Sequence, residues 1–109
     1  MTEKLQTYGE FWPYYLREHG KPATRTLHFI GTGAAIALVA VALVTGNPWL
    51  VLAALVAGYG PAWIGHFFIE KNRPATFTYP LWSLISDFRM FWCWITGKLR
   101  QELDKAGVA

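Results

Sequence analysis

Two uncharged apolar runs joined by a short turn leave this chain few ways to fold. The first, FIGTGAAIALVAVALV, covers 29–44. The second, WLVLAALVAGYGPAWIGHFFI, covers 49–69, and its only ionisable side chains are Tyr59 and His66. Between them stands TGNP, a cluster of turn formers. As helices the first run rises roughly 24 Å and the second about 31 Å, at about 1.5 Å per residue. A bilayer's hydrocarbon core is about 30 Å thick. The second run therefore spans it, and the first does so once Leu27 and Thr45 are added or the bilayer thins. The alternative is the buried hairpin of a soluble protein, but the flanks hold too little polar sequence to cover one.

Composition agrees with a membrane protein. The chain is 53% hydrophobic and 17% aromatic, with six tryptophans and only 16% charged residues, unlike a small soluble domain. The net charge of +3 suits anionic lipid head groups, and the basic residues are too scattered for nucleic-acid binding. Cys93 is the only cysteine, which excludes an intramolecular disulfide and a CxxC-type metal site. The N-terminal MTEKLQTYGEFWPYY lacks a short apolar core before a cleavage site, so no cleaved signal peptide is expected. Every lysine and arginine lies outside the hairpin loop, either before or after it. The positive-inside rule then predicts both termini in the cytoplasm.

The flanks have helical spacing too. YGEFWPYYLREHG brings Phe11, Tyr14, Tyr15 and Glu18 onto neighbouring turns before Gly20 and Pro22 stop it. YPLWSLISDFRMFWCWITGKLRQEL spaces Leu81, Leu84, Ile85, Phe88, Phe91, Trp92, Ile95 and Leu99 along one stripe, with Ser83, Ser86, Asp87 and Met90 on the other face. The predicted fold is all-α, a single integral membrane domain over 1–109 with four helices in total. A membrane hairpin of two helices, about 26–45 and 49–71, is flanked by amphipathic helices at about 7–19 and 79–103, the last interfacial or membrane-inserted. Pro61 cannot donate to the Ala57 carbonyl, so a kink is expected near His66. Gly31, Gly33, Ala34 and Ala35 face Ala54, Ala57 and Gly58, which permits close helix packing.

The hairpin has a consequence for the three histidines. With Asn47 at its tip, His28 lies nineteen residues before and His66 nineteen after, so the two share one depth near the cytoplasmic end. His19 precedes His28 across a short break and can fold back to that level, and Glu70 sits one turn beyond His66. Ionisable groups inside a span are costly and mark function by default. Three imidazoles and a carboxylate suit a first-row divalent metal, and two histidines with a carboxylate form the facial set of non-haem Fe(II) oxygenases. A proton site, a non-covalent haem with two histidine ligands, and a non-catalytic lipid- or partner-binding protein with His66 and Glu70 as a packing pair are the alternatives. Arg25, Lys71 and Arg73 cluster near the same level, where they serve topology or bind an anionic group. Asp87 has three open roles: a further carboxylate at the site, a partner of Arg89 or Arg73, or a solvated residue.

The pairing of EHGKPATRTLHFIGT with WIGHFFIEKNRPATF, and its GHxxxEKxRPA element, resembles the small membrane proteins related to the 2-hydroxy fatty acid dioxygenase of phytosphingosine breakdown. The resemblance runs from about Tyr8 to Gly97 and is nearest to compact bacterial members. It implies an Fe(II) cofactor and alpha-oxidation, in which a 2-hydroxy fatty acid and O2 give a fatty acid one carbon shorter. On that analogy His19, His28, His66 and Glu70 are the metal-binding and catalytic residues. Arg25 or Arg73 steadies the substrate carboxylate, and the acyl chain lies among Phe29, Trp63, Phe67 and membrane lipid. It also implies an integral protein of a bacterial inner membrane and leaves room for a homo-oligomer. The chain departs from eukaryotic relatives in having HGKPATR where they have an HNPKN-like element, and Ala62 where they have glutamine.

Overall fold

The computed structural model describes residues 4–108. Its elements are α1 (Tyr8–Glu18), α2 (Pro22–Thr45), α3 (Trp49–Ile64), a π-helical turn (Gly65–Glu70), a 3-10 turn (Ala75–Phe77), α4 (Pro80–Ile95) and α5 (Leu99–Ala106). Among the described residues there is no strand. The all-helical expectation holds, with five α-helices where four were expected. The C-terminal segment divides because Gly97 adopts φ 77°, the left-handed conformation that glycine enters without a Cβ penalty. Gly97 and Lys98 then donate to the carbonyls of Trp94 and Cys93, closing α4 as a helix end rather than continuing it.

Local chemistry accounts for the other boundaries. Thr7 and Glu10 form a reciprocal capping box that starts α1. Pro22 occupies the first turn of α2, where its fixed φ helps and its missing N–H costs nothing, so α2 begins four residues before the expected position 26. In the hairpin loop the Asn47 side chain accepts the Trp49 N–H at 3.1 Å. The irregularity expected around Pro61 takes the form of the π-helical turn, which begins just beyond it and carries His66.

α2 and α3 pack closely along their length. A Cβ on Gly31 would stand 2.7 Å from the Ala57 carbonyl oxygen and 3.0 Å from that of Gly58. The Ala57 carbonyl is the one that Pro61 leaves without its helical donor. Both hairpin helices are long and apolar enough to cross a bilayer, yet only 28% and 22% of their most apolar windows are buried. The core helix of a soluble protein is mostly covered; these are not.

A second, denser unit forms at the open end of the hairpin. Phe11, Tyr15 and Leu16 of α1 are fully buried, together with Met90 of α4 and Leu103 of α5. Phe11 packs within 5.2 to 6.0 Å of the Tyr8, Tyr14, Tyr15, Tyr79 and Trp82 rings. Trp12 donates its indole N–H to Glu102 at 2.8 Å, while the Arg89 guanidinium lies 4.1 Å over its ring.

α4 is inverted relative to a helix that packs in water. Ser83, Ser86 and Met90 face inward, and Leu81, Leu84, Ile85, Phe88, Trp92 and Ile95 are exposed. The inward polar groups are satisfied: Ser86 pairs with the Tyr8 hydroxyl at 2.8 Å, Ser83 with Thr76 at 3.1 Å, and the Tyr15 hydroxyl donates to Asp87 at 2.5 Å.

Candidate metal centre

α1, α2 and the π-helical turn each deliver one histidine to a common point. His19 is the C-cap of α1, His28 lies in the second turn of α2, and His66 follows Gly65 in the turn after α3. All three are buried. His19 Nε2 lies 2.9 Å from His28 Nε2 and 3.0 Å from His66 Nε2, and one nitrogen from each ring falls within 4.8 Å of the others.

The opposite ring nitrogens determine what these atoms are chemically. His19 Nδ1 is 2.6 Å from the Tyr15 carbonyl, and His28 Nδ1 is 3.0 Å from the Thr24 carbonyl. A carbonyl oxygen only accepts, so both Nδ1 atoms carry the proton. His66 Nδ1 is 2.7 Å from Asn72 Oδ1. The orientation of that amide follows from its other end, since Asn72 Nδ2 donates to the Glu18 carbonyl at 3.0 Å. His66 Nδ1 is therefore a donor as well. With every Nδ1 protonated, three neutral imidazoles turn their Nε2 lone pairs toward one point, with that of His19 at hydrogen-bond distance from both of the others. Lone pairs so placed repel unless a cation lies among them, and orienting the far nitrogen on an oxygen is the usual support of a metal-bound histidine.

The sequence builds each support locally. α1 ends at Glu18, so the Tyr15 carbonyl lacks a helical partner and takes the His19 ring N–H instead. Lys71 adopts φ 62°, an uncommon conformation for a residue with a Cβ. This reversal brings the Asn72 N–H to the His66 carbonyl at 2.9 Å and its side chain to the His66 ring. Burial first, and then the neighbouring His28 and His66, hold the His19 pKa well below the usual imidazole value. Its nitrogen is thus free for a metal at neutral pH.

The remaining expected site residues take other positions. Glu70 does not join the cluster: its carboxylate accepts the Lys21 N–H at 2.7 Å, capping an α2 N-terminus that has no side-chain cap of its own. Lys21 Nζ in turn donates to the Ile69 carbonyl at 3.1 Å. Arg25 is buried behind the cluster and donates to the His19 carbonyl at 2.8 Å. Arg73 lies 5.6 Å over the exposed Phe77 ring, to which Trp63 and Phe67 also pack. Phe29 is stacked on Trp94 with ring centroids 4.6 Å apart.

A void of about 10 Å³ lies against the three histidines and is also lined by Trp63, Ser83 and Asp87. That is room for about one water or another small oxygen ligand. Trp63 Nε1 is buried without a hydrogen-bond partner among the described residues, the kind of orphan donor such a ligand satisfies. Burial pushes the Asp87 carboxyl up to about 7, against the pull of its Tyr15 hydrogen bond. His19 Nε2 stands only 2.9 and 3.0 Å from the other two Nε2 atoms, which leaves no space between those rings for a macrocycle plane held by two axial histidines. Nor do His66 and Glu70 form a packing pair, since their side chains engage Asn72 and Lys21. Tyr15, Thr24, Asn72 and Trp63 were the supporting residues that sequence reasoning missed or placed elsewhere. Asn72 stands at the unspecified position between Lys71 and Arg73 in the GHxxxEKxRPA element.

An all-helical protein with a buried three-histidine cluster at the open end of an apolar hairpin is the class that fold and site define. Residues 5–99 match the family described as 2-hydroxy-palmitic acid dioxygenase Mpo1-like, and the chain belongs to it. No curated protein and no solved structure matches the chain.

Proposed function

We propose that the protein is a membrane-embedded, Fe(II)-dependent dioxygenase that shortens 2-hydroxy fatty acids by one carbon at the cytoplasmic face of a bacterial inner membrane. One observation carries the reading: three imidazoles, each with its far nitrogen protonated, aim their lone pairs at one buried point. That arrangement suits a divalent metal, and the family's description supplies the reaction class.

The uncovered hairpin and the inverted α4 support the membrane placement. Lipid replaces the missing protein partner for both surfaces, and α2 at 24 residues rises about 36 Å, enough for a tilted span. The absence of cations from the loop supports cytoplasmic termini.

In this reading His19, His28 and His66 would hold the iron, which would supply O2 activation next to the substrate's hydroxyl and carboxylate oxygens. The protein's own groups do the positioning. Tyr15, Thr24 and Asn72 orient the rings, and Arg25 holds the His19 backbone. Glu70 ties the α2 N-terminus to the end of the π-helical turn. The Trp63 N–H is available to a substrate oxygen, and burial excludes bulk water. The overall change balances with CO2 and water as co-products, so O2 is the only oxidant needed.

The test is metal analysis and conversion of 2-hydroxy palmitic acid by detergent-purified protein, reconstituted anaerobically with Fe(II) and then aerated. Near-stoichiometric iron with chain shortening is expected, and loss of both in His19→Ala, His28→Ala and His66→Ala. Folded wild-type protein that retains no metal would sink the reading and favour a non-catalytic lipid-binding role. Glu70→Gln should keep its iron, because the structure places that carboxylate on Lys21.

A further inference from the structure

We infer that the cleft between α2, α3 and α4 is the binding site for the substrate's alkyl chain, with its depth setting the chain length accepted. This rests on the fatty-acid reading above and extends it to the part of the substrate that does not react.

The cleft has a volume of about 200 Å³, and Tyr59 and Asp87 line both it and the void beside the histidines. The two spaces therefore adjoin at these side chains. Each wall continues a helix face that carries site residues. On α2, His28 is followed by Thr32, Ala35 and Val39 at helical intervals, and all three line the cleft. On α3, Val51, Ala54, Leu55, Gly58 and Tyr59 lead through Ala62 toward His66. On α4, Ser83 faces the void, Asp87 both spaces, and Leu84 and Phe88 the cleft alone.

Its chemistry changes with distance from the histidines. Thr32, Tyr59 and Asp87 stand at the near end, and Val39 and Val51 at the far end toward the loop. From His28 to Val39 is about 16 Å along α2, close to the roughly 15 Å that one leaflet's chain occupies in a 30 Å hydrocarbon core. A fatty acid with its polar end at the histidines would lie parallel to its neighbours in the bilayer. The rim residues Leu55, Leu84 and Phe88 are exposed, so the chain can enter sideways from lipid without crossing water. Phe29, stacked on Trp94, lies outside this path.

The experiment compares conversion of 2-hydroxy palmitic and 2-hydroxy octanoic acids by wild type, Val39→Trp, Val51→Trp and, on the outer face, Val56→Trp. A tenfold or greater fall in the long-to-short ratio is expected for the two cleft variants, with an unmoved ratio for Val56→Trp. Short-chain turnover in the same samples shows that the variants fold. In parallel, a 2-hydroxy fatty acid carrying a photoreactive diazirine at its methyl end is cross-linked to anaerobic wild-type protein. Label should fall on Val39, Val51 and Leu55. Conversion with unmoved ratios and label spread over Val41, Leu43 and Val56 would overturn the cleft assignment and leave the enzyme reading standing. Label in the cleft with no conversion by any sample would overturn the enzyme reading alone.

Discussion

Each imidazole of the cluster is held by an oxygen on its far side, and only one of those oxygens comes from a side chain. Asn72 is consequently the single support that substitution can remove without moving backbone. Asn72→Ala is expected to lower metal affinity about 10- to 100-fold, the usual cost of losing such a partner, while the protein still folds. Competition titration with a chromogenic chelator measures it, and wild-type affinity would show that the amide does not orient His66. Protonation makes a second prediction. Asp87 is raised from 3.8 to about 7 in the folded protein, so its contribution to stability is greatest below 3.8 and is lost as the pH rises through about 7. His19 is lowered from 6.5, so its contribution is present above 6.5 and is lost as the pH falls toward the lowered folded value. The two oppose each other between about 4 and 6.5, and above 6.5 the Asp87 effect stands alone. Metal-free wild type should therefore lose thermal stability between about pH 6.5 and 7.5, and Asp87→Asn should not. Circular-dichroism melts in detergent decide it; a decline that persists in Asp87→Asn would assign the effect elsewhere. His28 and His66 were legible as a pair from their spacing about Asn47, and His19 from the short break that lets it fold back to their level. Their tautomers were not, because the Tyr15 and Thr24 carbonyls are backbone atoms that every residue possesses.

Elements succeed or fail here on how closely backbones approach. A methyl at Gly31 meets the Ala57 carbonyl at 2.7 Å, whereas one at Gly58 meets Ala35 Cβ at an ordinary 3.5 Å. Gly31→Ala should destabilise the hairpin by about 1–3 kcal/mol, since neither backbone can yield cheaply. Gly58→Ala should be neutral or stabilising by up to about 1 kcal/mol, because alanine replaces glycine inside a helix without a clash. Thermal unfolding of the two variants in the same detergent compares them, and equal effects would mean that the helices are not in this register. The small-residue faces of α2 and α3 were readable in the sequence. Which glycine touches backbone was not, because that depends on the rotation of one helix about its axis. The division of the C-terminal segment had a signal in ITGKL, but its helical spacing runs through Gly97 unbroken. Only the left-handed φ there and the burial of Leu103 against α1 and α4 show that α5 is separate.

For the whole molecule the governing question is which surface meets lipid. If α2 and α3 span with the loop outside, Asn47→Cys in a Cys93→Ser background should react with a membrane-impermeant thiol reagent on intact spheroplasts. A cysteine at Lys105 should react only after lysis; the reverse pattern would invert the topology. Apolar run length, the turn between the runs and the placement of cations determined the all-helical hairpin, because periodicity and hydropathy are properties of contiguous residues. They also determined that His28 and His66 share one level. Tertiary structure alone decided that Glu70 caps α2 instead of joining the histidines, and that Asn72 completes the site. It also decided that α4 turns its serines and Asp87 inward. Each of those outcomes depends on contacts between residues far apart in the chain, such as Glu70 with Lys21 and Tyr15 with Asp87. A helical stripe in the sequence shows which residues share a face, whereas the neighbouring helix and the surrounding medium decide which face is buried.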